Sequence, residues 1–323
     1  MAKYILGIDI GGTKISVCLA LKTGKILEKQ VLRTQIRAQT WESVSGISNA
    51  ILNILAQRKI FFRDLLGIGV GIPGPLNFRK EKIERSPNLP GWERVPLKKI
   101  LNRLFKCPVF IENDAKAATL GIKYFGEGRS VDHFVYITVS TGIGSGMIIN
   151  RQLVRGIIGA AGEIGHTTIE IGGEQCPCGK LGCLEAYASG TAIAKFARRA
   201  LRKGNRSKIL QYCAGVAKVS GAAVSQAAHK GDVLAIQIRH RAADYLGVAI
   251  GNIINTLNPE RIVLGGGVLE QTTHFWQPMM KAIRREAWPL LFKSCKIVKT
   301  RLANRVGDFG TIAVVLERLS LRE

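Results

Sequence analysis

The sequence predicts an α/β chain made of two related lobes, and three observations carry that prediction. Strand-like apolar runs alternate with segments of helical period along most of the chain. A strand, a glycine-rich turn and a second strand open it as ILGIDIGGTKISVCLAL, and the same device recurs as HFVYITVSTGIGSGMIINRQLV. The length of 323 residues sets a prior of two domains. Hydrophobic residues at 46% and 36 glycines fit a globular α/β chain.

Each element follows from local pattern. Residues 4–10 read as a buried strand, GGTK turns into the strand ISVCLAL, and KILEKQVL follows across Thr23-Gly24. Residues 41–58 have helical period, with Thr40 as the expected N-cap. LLGIGVGIPGPL is a strand running into a Gly/Pro turn, and 96–106 a short amphipathic helix. PVFIEND is a strand whose end presents Glu112, Asn113 and Asp114, and 115–125 is helical. Beyond the second strand–turn–strand device, 188–203 is helical and 204–232 is loop, with a helix starting near Ser220. Residues 232–257 form a long helix stopped by Asn258-Pro259. RIVLGGGV leads a strand into a third glycine turn, KIVKTRL is the last strand, and 310–319 is a helix that packs back on the first lobe. The expected division is a small lobe of residues 1–115, joined by the C-terminal helix 308–323, and a large lobe of 116–307.

Charge narrows the partners. Lysine and arginine number 47 against 23 acidic residues, a net charge of +24. Such a field favours anions, from nucleotides to nucleic acid. The basic residues are spread along the chain without interleaved aromatics, and no nucleic-acid-binding signature is present, so no nucleic acid is expected. No apolar run reaches the ~20 residues of a membrane helix. The opening MAKYILGIDIGG is expected to be a strand and not a signal peptide. The expectation is a soluble, cytoplasmic chain with no membrane partner.

The segment from Glu163 to Glu185 concentrates chemistry. AGEIGH and CPCGKLGCLE bring together His166, Cys176, Cys178 and Cys183, bracketed by the two glutamates. One imidazole and three thiolates make a natural tetrahedral Zn²⁺ shell. The other four of the seven cysteines are scattered singly and read as small buried apolar residues. An odd count and the absence of a secretory signal weigh against disulfides. The carboxylates exceed what a structural ion needs, so the metal is expected to shape a loop that binds something polar.

Three glycine turns let backbone N–H groups approach phosphate oxygens: Gly11-Gly12-Thr13-Lys14, the stretch from Ser140 to Gly146, and Gly265-Gly266-Gly267. No Walker A pattern is present, and no G-x-G-x-x-G opens a helix, so P-loop and Rossmann readings fall. Similar turns in two successive units suggest a nucleotide between the lobes. Asp9 points to a water-bridged Mg²⁺, and Thr13 and Lys14 supply donors for terminal phosphates. Asp114, ending a strand at an α/β crevice, is a candidate general base for phosphoryl transfer. It is equally a candidate N-cap of the next helix.

Together these residues resemble the ROK family of sugar kinases and repressors in the actin-like ATPase superfamily. The likeness runs through DIGGTK at 9–14, GIPGP at 71–75, SPNLPGW at 86–92, END at 112–114, STGIGSG at 140–146, EIGH at 163–166, CPCGKLGCLEAYASG at 176–190 and LGGGV at 264–268. The resemblance implies two actin-like (ribonuclease H-like) lobes with a nucleotide and sugar cleft between them. It implies Asp114 as the catalytic residue and zinc on His166, Cys176, Cys178 and Cys183. Sugar contacts fall on Gly74, Asn88, Asn113, Asp114, Gly142, Glu163, His166 and Glu185. Contacts to ATP and its Mg²⁺ fall on Asp9, Gly11, Gly12, Thr13, Lys14, Thr141, Gly142, Gly144, Gly265, Gly266 and Gly267.

This chain departs from the family's usual residues at Lys116, Ile122, Ser140 and Ser145. The repressor branch carries an N-terminal DNA-binding domain, and with a first strand at Tyr4 none is expected here. The expected activity is an ATP-dependent hexokinase, a glucokinase first, acting at the 6-hydroxyl. Other hexoses, polyphosphate as donor, and a non-catalytic sugar-binding regulator are the alternatives. The family also implies a homo-oligomer, dimer or tetramer.

Overall fold

The computed structural model describes residues 2–35, 40–74, 76–77, 82–83 and 89–321. In chain order the elements begin with β1 (Tyr4–Ile10), β2 (Lys14–Leu21), β3 (Ile26–Arg33), α1 (Thr40–Arg58), β4 (Leu65–Ile72), β5 (Leu76–Asn77) and β6 (Lys82–Ile83). They continue with α2 (Leu97–Phe105), β7 (Val109–Asn113), α3 (Asp114–Phe125), β8 (Phe134–Val139), β9 (Ile143–Ile149) and β10 (Gln152–Leu153). Then come α4 (Glu185–Ala188), α5 (Gly190–Arg202), α6 (Gly221–His229), α7 (Val233–Leu257) and β11 (Arg261–Gly265). The chain closes with α8 (Trp276–Glu286), α9 (Pro289–Ser294), β12 (Lys296–Lys299) and α10 (Val306–Ser320). Among the described residues, no helix is long and apolar enough to cross a membrane.

The first of two compact units comprises Met1–Ser130, Gly146–Ala161 and Asn304–Glu323. Its sheet runs β3-β2-β1-β4-β7. The neighbours joined by short turns are antiparallel, and the pairs β1–β4 and β4–β7, joined through helices, are parallel. β4 shows how sequence dictates packing. In LLGIGVGI, Ile68, Val70 and Ile72 join Ile47 and Ile51 of α1 and Leu101 of α2 in one core. With a period of two, Gly67, Gly69 and Gly71 face the other way. A Cβ on Gly69 would collide with the Thr311 carbonyl of α10, so the glycines let that helix lie against the sheet. α3 packs closely on α10, which places residues 116–130 in this unit; the sequence reading ended the first lobe at residue 115.

The second unit comprises Val131–Ser145 and Gly162–Ala303. Its sheet is ordered β9-β8-β11-β12, with parallel β8–β11 and β11–β12 pairs. β9 passes into the first unit at Gly146, where Ile149 pairs with Gln152 of β10. α7 is the spine of the second unit. Asp232 caps its start by accepting from the Ala235 N–H, and Asn258, in the left-handed region, ends it before Pro259. α6 starts beside Ser220, as expected, and the Ser220 hydroxyl caps it by accepting from the Ala223 N–H. Helix α1 starts at Thr40, one residue before the start expected from the sequence. The amphipathic α8 and the short α9 occupy a stretch for which the sequence reading assigned no element.

Candidate active site and metal centre

In the first unit, the β1–β2 turn is closed by the Gly11 N–H donating to the Lys14 carbonyl at 2.9 Å. Thr34 braces it from β3's end, donating its hydroxyl to the Gly11 carbonyl at 2.7 Å. Gly12, Thr13 and Lys14 are thereby left exposed to a ligand. Asp9 sits just behind the turn. Burial, then the neighbouring carboxylates of Asp114 and Asp308, push its pKa up to about 7, against the opposing charges of Lys14 and Lys29. Asp308 itself is buried, accepting from Ser16 at 2.6 Å and Lys29 at 2.5 Å. A cluster of hard oxygen donors with too few cations suits Mg²⁺.

The carboxyl end of β7 resolves the ambiguity over Asp114. The N-cap of α3 is Asn113, whose Oδ1 accepts from the Lys116 N–H at 3.1 Å. Its Nδ2 donates to the Gly74 carbonyl at 3.2 Å and to Asp114 Oδ1 at 3.1 Å. Asp114 Oδ1 also accepts from the Ala115 N–H at 2.8 Å. Asp114 is thus oriented at the first helical position without serving as the cap. Glu112 is buried two residues before Asp114, and burial pushes its pKa up although Arg155 pairs with it at 3.0 Å.

Asp9 carries a stability cost with a defined sign. A carboxyl raised to about 7 from an ordinary 3.8 contributes stability that is complete below pH 3.8 and lost as pH rises through 7. Asp9→Asn is therefore expected to unfold at higher urea than the parent at pH 8 by roughly 2–4 kcal/mol, with the gap closing at pH 4. Urea titrations at both pH values measure it, and an equal gap at both would remove the assignment.

In the second unit, residues 140–142 join β8 to β9, with the Ser140 N–H donating to the Gly142 carbonyl at 2.9 Å. Glu185, the first residue of α4, accepts from the Ile143 N–H at 2.7 Å through Oε2. That oxygen lies so near the Gly142 Cα that a side chain there would collide with it. The structure thus brings Gly142 and Glu185 together. Ser145 is buried, and its hydroxyl donates to the Gly162 carbonyl, tying β9 to the start of the segment that carries Glu163 and His166. Glu163 is exposed at the head of a one-turn 3-10 helix, Ile164–His166. The third glycine turn is crowded on one side and open on the other. A Cβ on Gly265 would meet the Tyr136 hydroxyl at 2.6 Å, whereas one on Gly267 would meet nothing within 4 Å.

His166, Cys176, Cys178 and Cys183 converge, all ligand atoms lying within 4.8 Å of one another. Cys178 and Cys183 sulfurs are 3.7 Å apart, and Cys176 Sγ lies 3.7 Å from His166 Nδ1. Zn–S bonds near 2.3 Å in a tetrahedron put sulfurs about 3.8 Å apart, so this donor set fits that ion. Gly179 and Gly182, with φ of 99° and 76°, turn the chain around the cluster. The wrap is anchored from outside. Glu174 takes Lys195 at 2.8 Å and Arg199 at 2.5 Å, both from α5. Those hydrogen bonds, Arg199's first, draw its pKa down to about 2.

Of the remaining expected residues, Asn88 lies outside the described residues, as does Pro75 of the Gly/Pro turn. Thr141 is exposed in the second turn, and Gly144 lies within β9. The sequence reading missed Asp308 and Arg155. Asp308, an acid in the first turn of a helix already expected, was the available signal; for Arg155 no local pattern marked its partner 43 residues away.

A model described as the ROK family matches residues 5–318. The glucokinase of Thermotoga maritima is 33% identical, over 98% of this chain and 98% of its own. The xylose repressor of Caldicellulosiruptor bescii is 30% identical, over 97% of this chain and 78% of its own. Among solved structures, a ROK family glucokinase from Streptomyces griseus in complex with glucose and AMPPNP superposes with a TM-score of 0.80 at 30% identity, over 98% of this chain and 99% of that one.

Proposed function

The chain belongs to the ROK family, and from that premise we propose that it is an ATP-dependent hexokinase that phosphorylates glucose at the 6-hydroxyl. The observation that carries this is Asp114, relieved of capping by Asn113 and oriented by two hydrogen bonds. Its role is to take the proton of the attacking hydroxyl. Asp9 and the exposed turn at 11–14, with the second and third glycine turns, serve ATP and Mg²⁺. Bound Mg²⁺ neutralises charge on the phosphates. The relatives named glucokinase, and the Streptomyces griseus structure with glucose and AMPPNP, support the choice of substrate and donor.

We assign the Cys₃His cluster to zinc. With Nδ1 of His166 turned to the sulfurs, Nε2 carries the hydrogen and donates to a sugar hydroxyl. Glu163 and Glu185 accept from hydroxyls, a mixture of donors and acceptors that suits a polyol. The sugar contacts implied by the family include Gly74, Asn113, Asp114, Gly142, Glu163, His166 and Glu185.

A coupled assay for ADP release across glucose, fructose, mannose, N-acetylglucosamine and N-acetylmannosamine tests the proposal. Glucose is expected to give the highest kcat/KM, and robust turnover with polyphosphate but none with ATP would overturn the donor. The second reading is a non-catalytic sugar-binding regulator, which the xylose repressor likeness favours. Sugar binding without turnover on any member of the panel would establish it.

A further inference from the structure

Between α7 and α8 the second unit holds a cavity of about 770 Å³, lined by none of the residues assigned above to sugar, nucleotide or metal. Its walls carry Arg241, Lys281 and Arg285, the imidazoles of His240 and His274, and one carboxylate, Asp244. Asp244 is already engaged, accepting from Arg285 at 3.1 and 3.4 Å. Arg285 also pairs with Glu286 at 2.6 Å, and Arg241 donates to Tyr245, which in turn donates to Glu170. Among the described lining residues, Lys281 and the two imidazoles have no carboxylate partner.

The wall is shaped by a buried cation. Arg239 is fully buried and, among the described residues, pairs with no acid. It donates to the Ser225 hydroxyl and to the carbonyls of Gln271 at 2.5 Å and Thr273 at 3.2 Å, and lies 5.2 Å from the Phe275 ring centroid. The two carbonyl bonds hold the chain just before His274, and the ring contact holds Phe275 just after it; the φ of 55° at His274 is uncommon for a residue other than glycine. The His274 ring is thereby set 5.9 Å from that of His240. Burial, then the charges of His274 and Arg239, hold His240 below the ordinary histidine value. Positive charge is therefore gathered here at a cost that a bound anion offsets.

We propose that this cavity is an anion site that binds inorganic phosphate or a small phosphorylated molecule. Arg241 keeps guanidinium N–H groups beyond the one given to Tyr245, Lys281 supplies a charged donor, and the imidazoles supply N–H donors. The volume is that of a small-molecule site and not of a polymer track.

Calorimetric titration of the full chain tests this, with and without saturating AMPPNP, Mg²⁺ and glucose so that phosphate binding at the nucleotide turns is blocked in one arm. The probes are inorganic phosphate, glycerol 1-phosphate and sulfate. One saturable site with a Kd of roughly 1 mM or tighter is expected in both arms. Tighter binding of glycerol 1-phosphate than of phosphate assigns a phosphorylated metabolite, and the reverse assigns the inorganic ion. Lys281→Glu, and Lys281→Gln as the milder change, are expected to weaken binding about tenfold or more while kcat on hexose is unchanged. Binding seen only without AMPPNP, binding equal in both variants and the parent, or saturable binding of an oligonucleotide with none of the small anions would each overturn the proposal.

Discussion

Asp114→Asn is expected to lower kcat by about 10²–10⁴ while leaving sugar binding largely intact. The geometry makes this substitution unusually clean. Both described hydrogen bonds to Asp114 arrive at Oδ1, from the Ala115 N–H at 2.8 Å and Asn113 Nδ2 at 3.1 Å. An asparagine oxygen accepts both in the same place, so the side chain keeps its orientation and loses only its charge and basicity. Helix α3 keeps its start, because the cap is Asn113. Steady-state kinetics on hexose, with sugar affinity measured separately by calorimetry, check the outcome. Near-normal kcat would show that Asp114 is not the base.

Cys178→Ala is expected to release zinc and raise the sugar KM by roughly ten- to a hundredfold, with little change in the ATP KM. Cys178 is the exposed member of the cluster, so its loss opens no cavity in the core. The surrounding wrap keeps supports of its own: the Glu174 pairs with Lys195 and Arg199, and the Cys176 N–H donating to the Lys180 carbonyl at 2.9 Å. His166 loses its fixed orientation without the ion, and the clamp on the sugar loosens with it. Metal analysis, circular dichroism and the two KM values separate this from wholesale unfolding. A folded, zinc-free variant with an unchanged sugar KM would refute the assignment.

Much of the fold was legible because its signals are local. The alternation of Gly and Ile in LLGIGVGI, the Ser220 and Asp232 caps, and the Asn258-Pro259 stop are written in neighbouring residues. The Cys₃His cluster was legible for the same reason. Its four donors lie within residues 166–183, and two glycines of positive φ supply the turns between them.

Other features depend on partners far apart in the chain, and no period or spacing announces them. Whether Asn113 or Asp114 caps α3 is decided by which oxygen reaches the Lys116 N–H, a matter of backbone direction at the end of β7. The raised pKa of Asp9 comes from burial and from Asp114 and Asp308, which lie about a hundred and three hundred residues away in sequence. Glu112 finds Arg155 only because the first unit folds residues 146–161 into itself. Sequence by itself determined the α/β class, the family and the Cys₃His set that the structure brings together, and it singled out Asp9 and Asp114 but not Asp308. Only the tertiary structure decided that Asn113 and not Asp114 caps α3 and that the Asp9 carboxyl is raised to about 7, because desolvation and charge–charge energies depend on distances in space and not on separation along the chain.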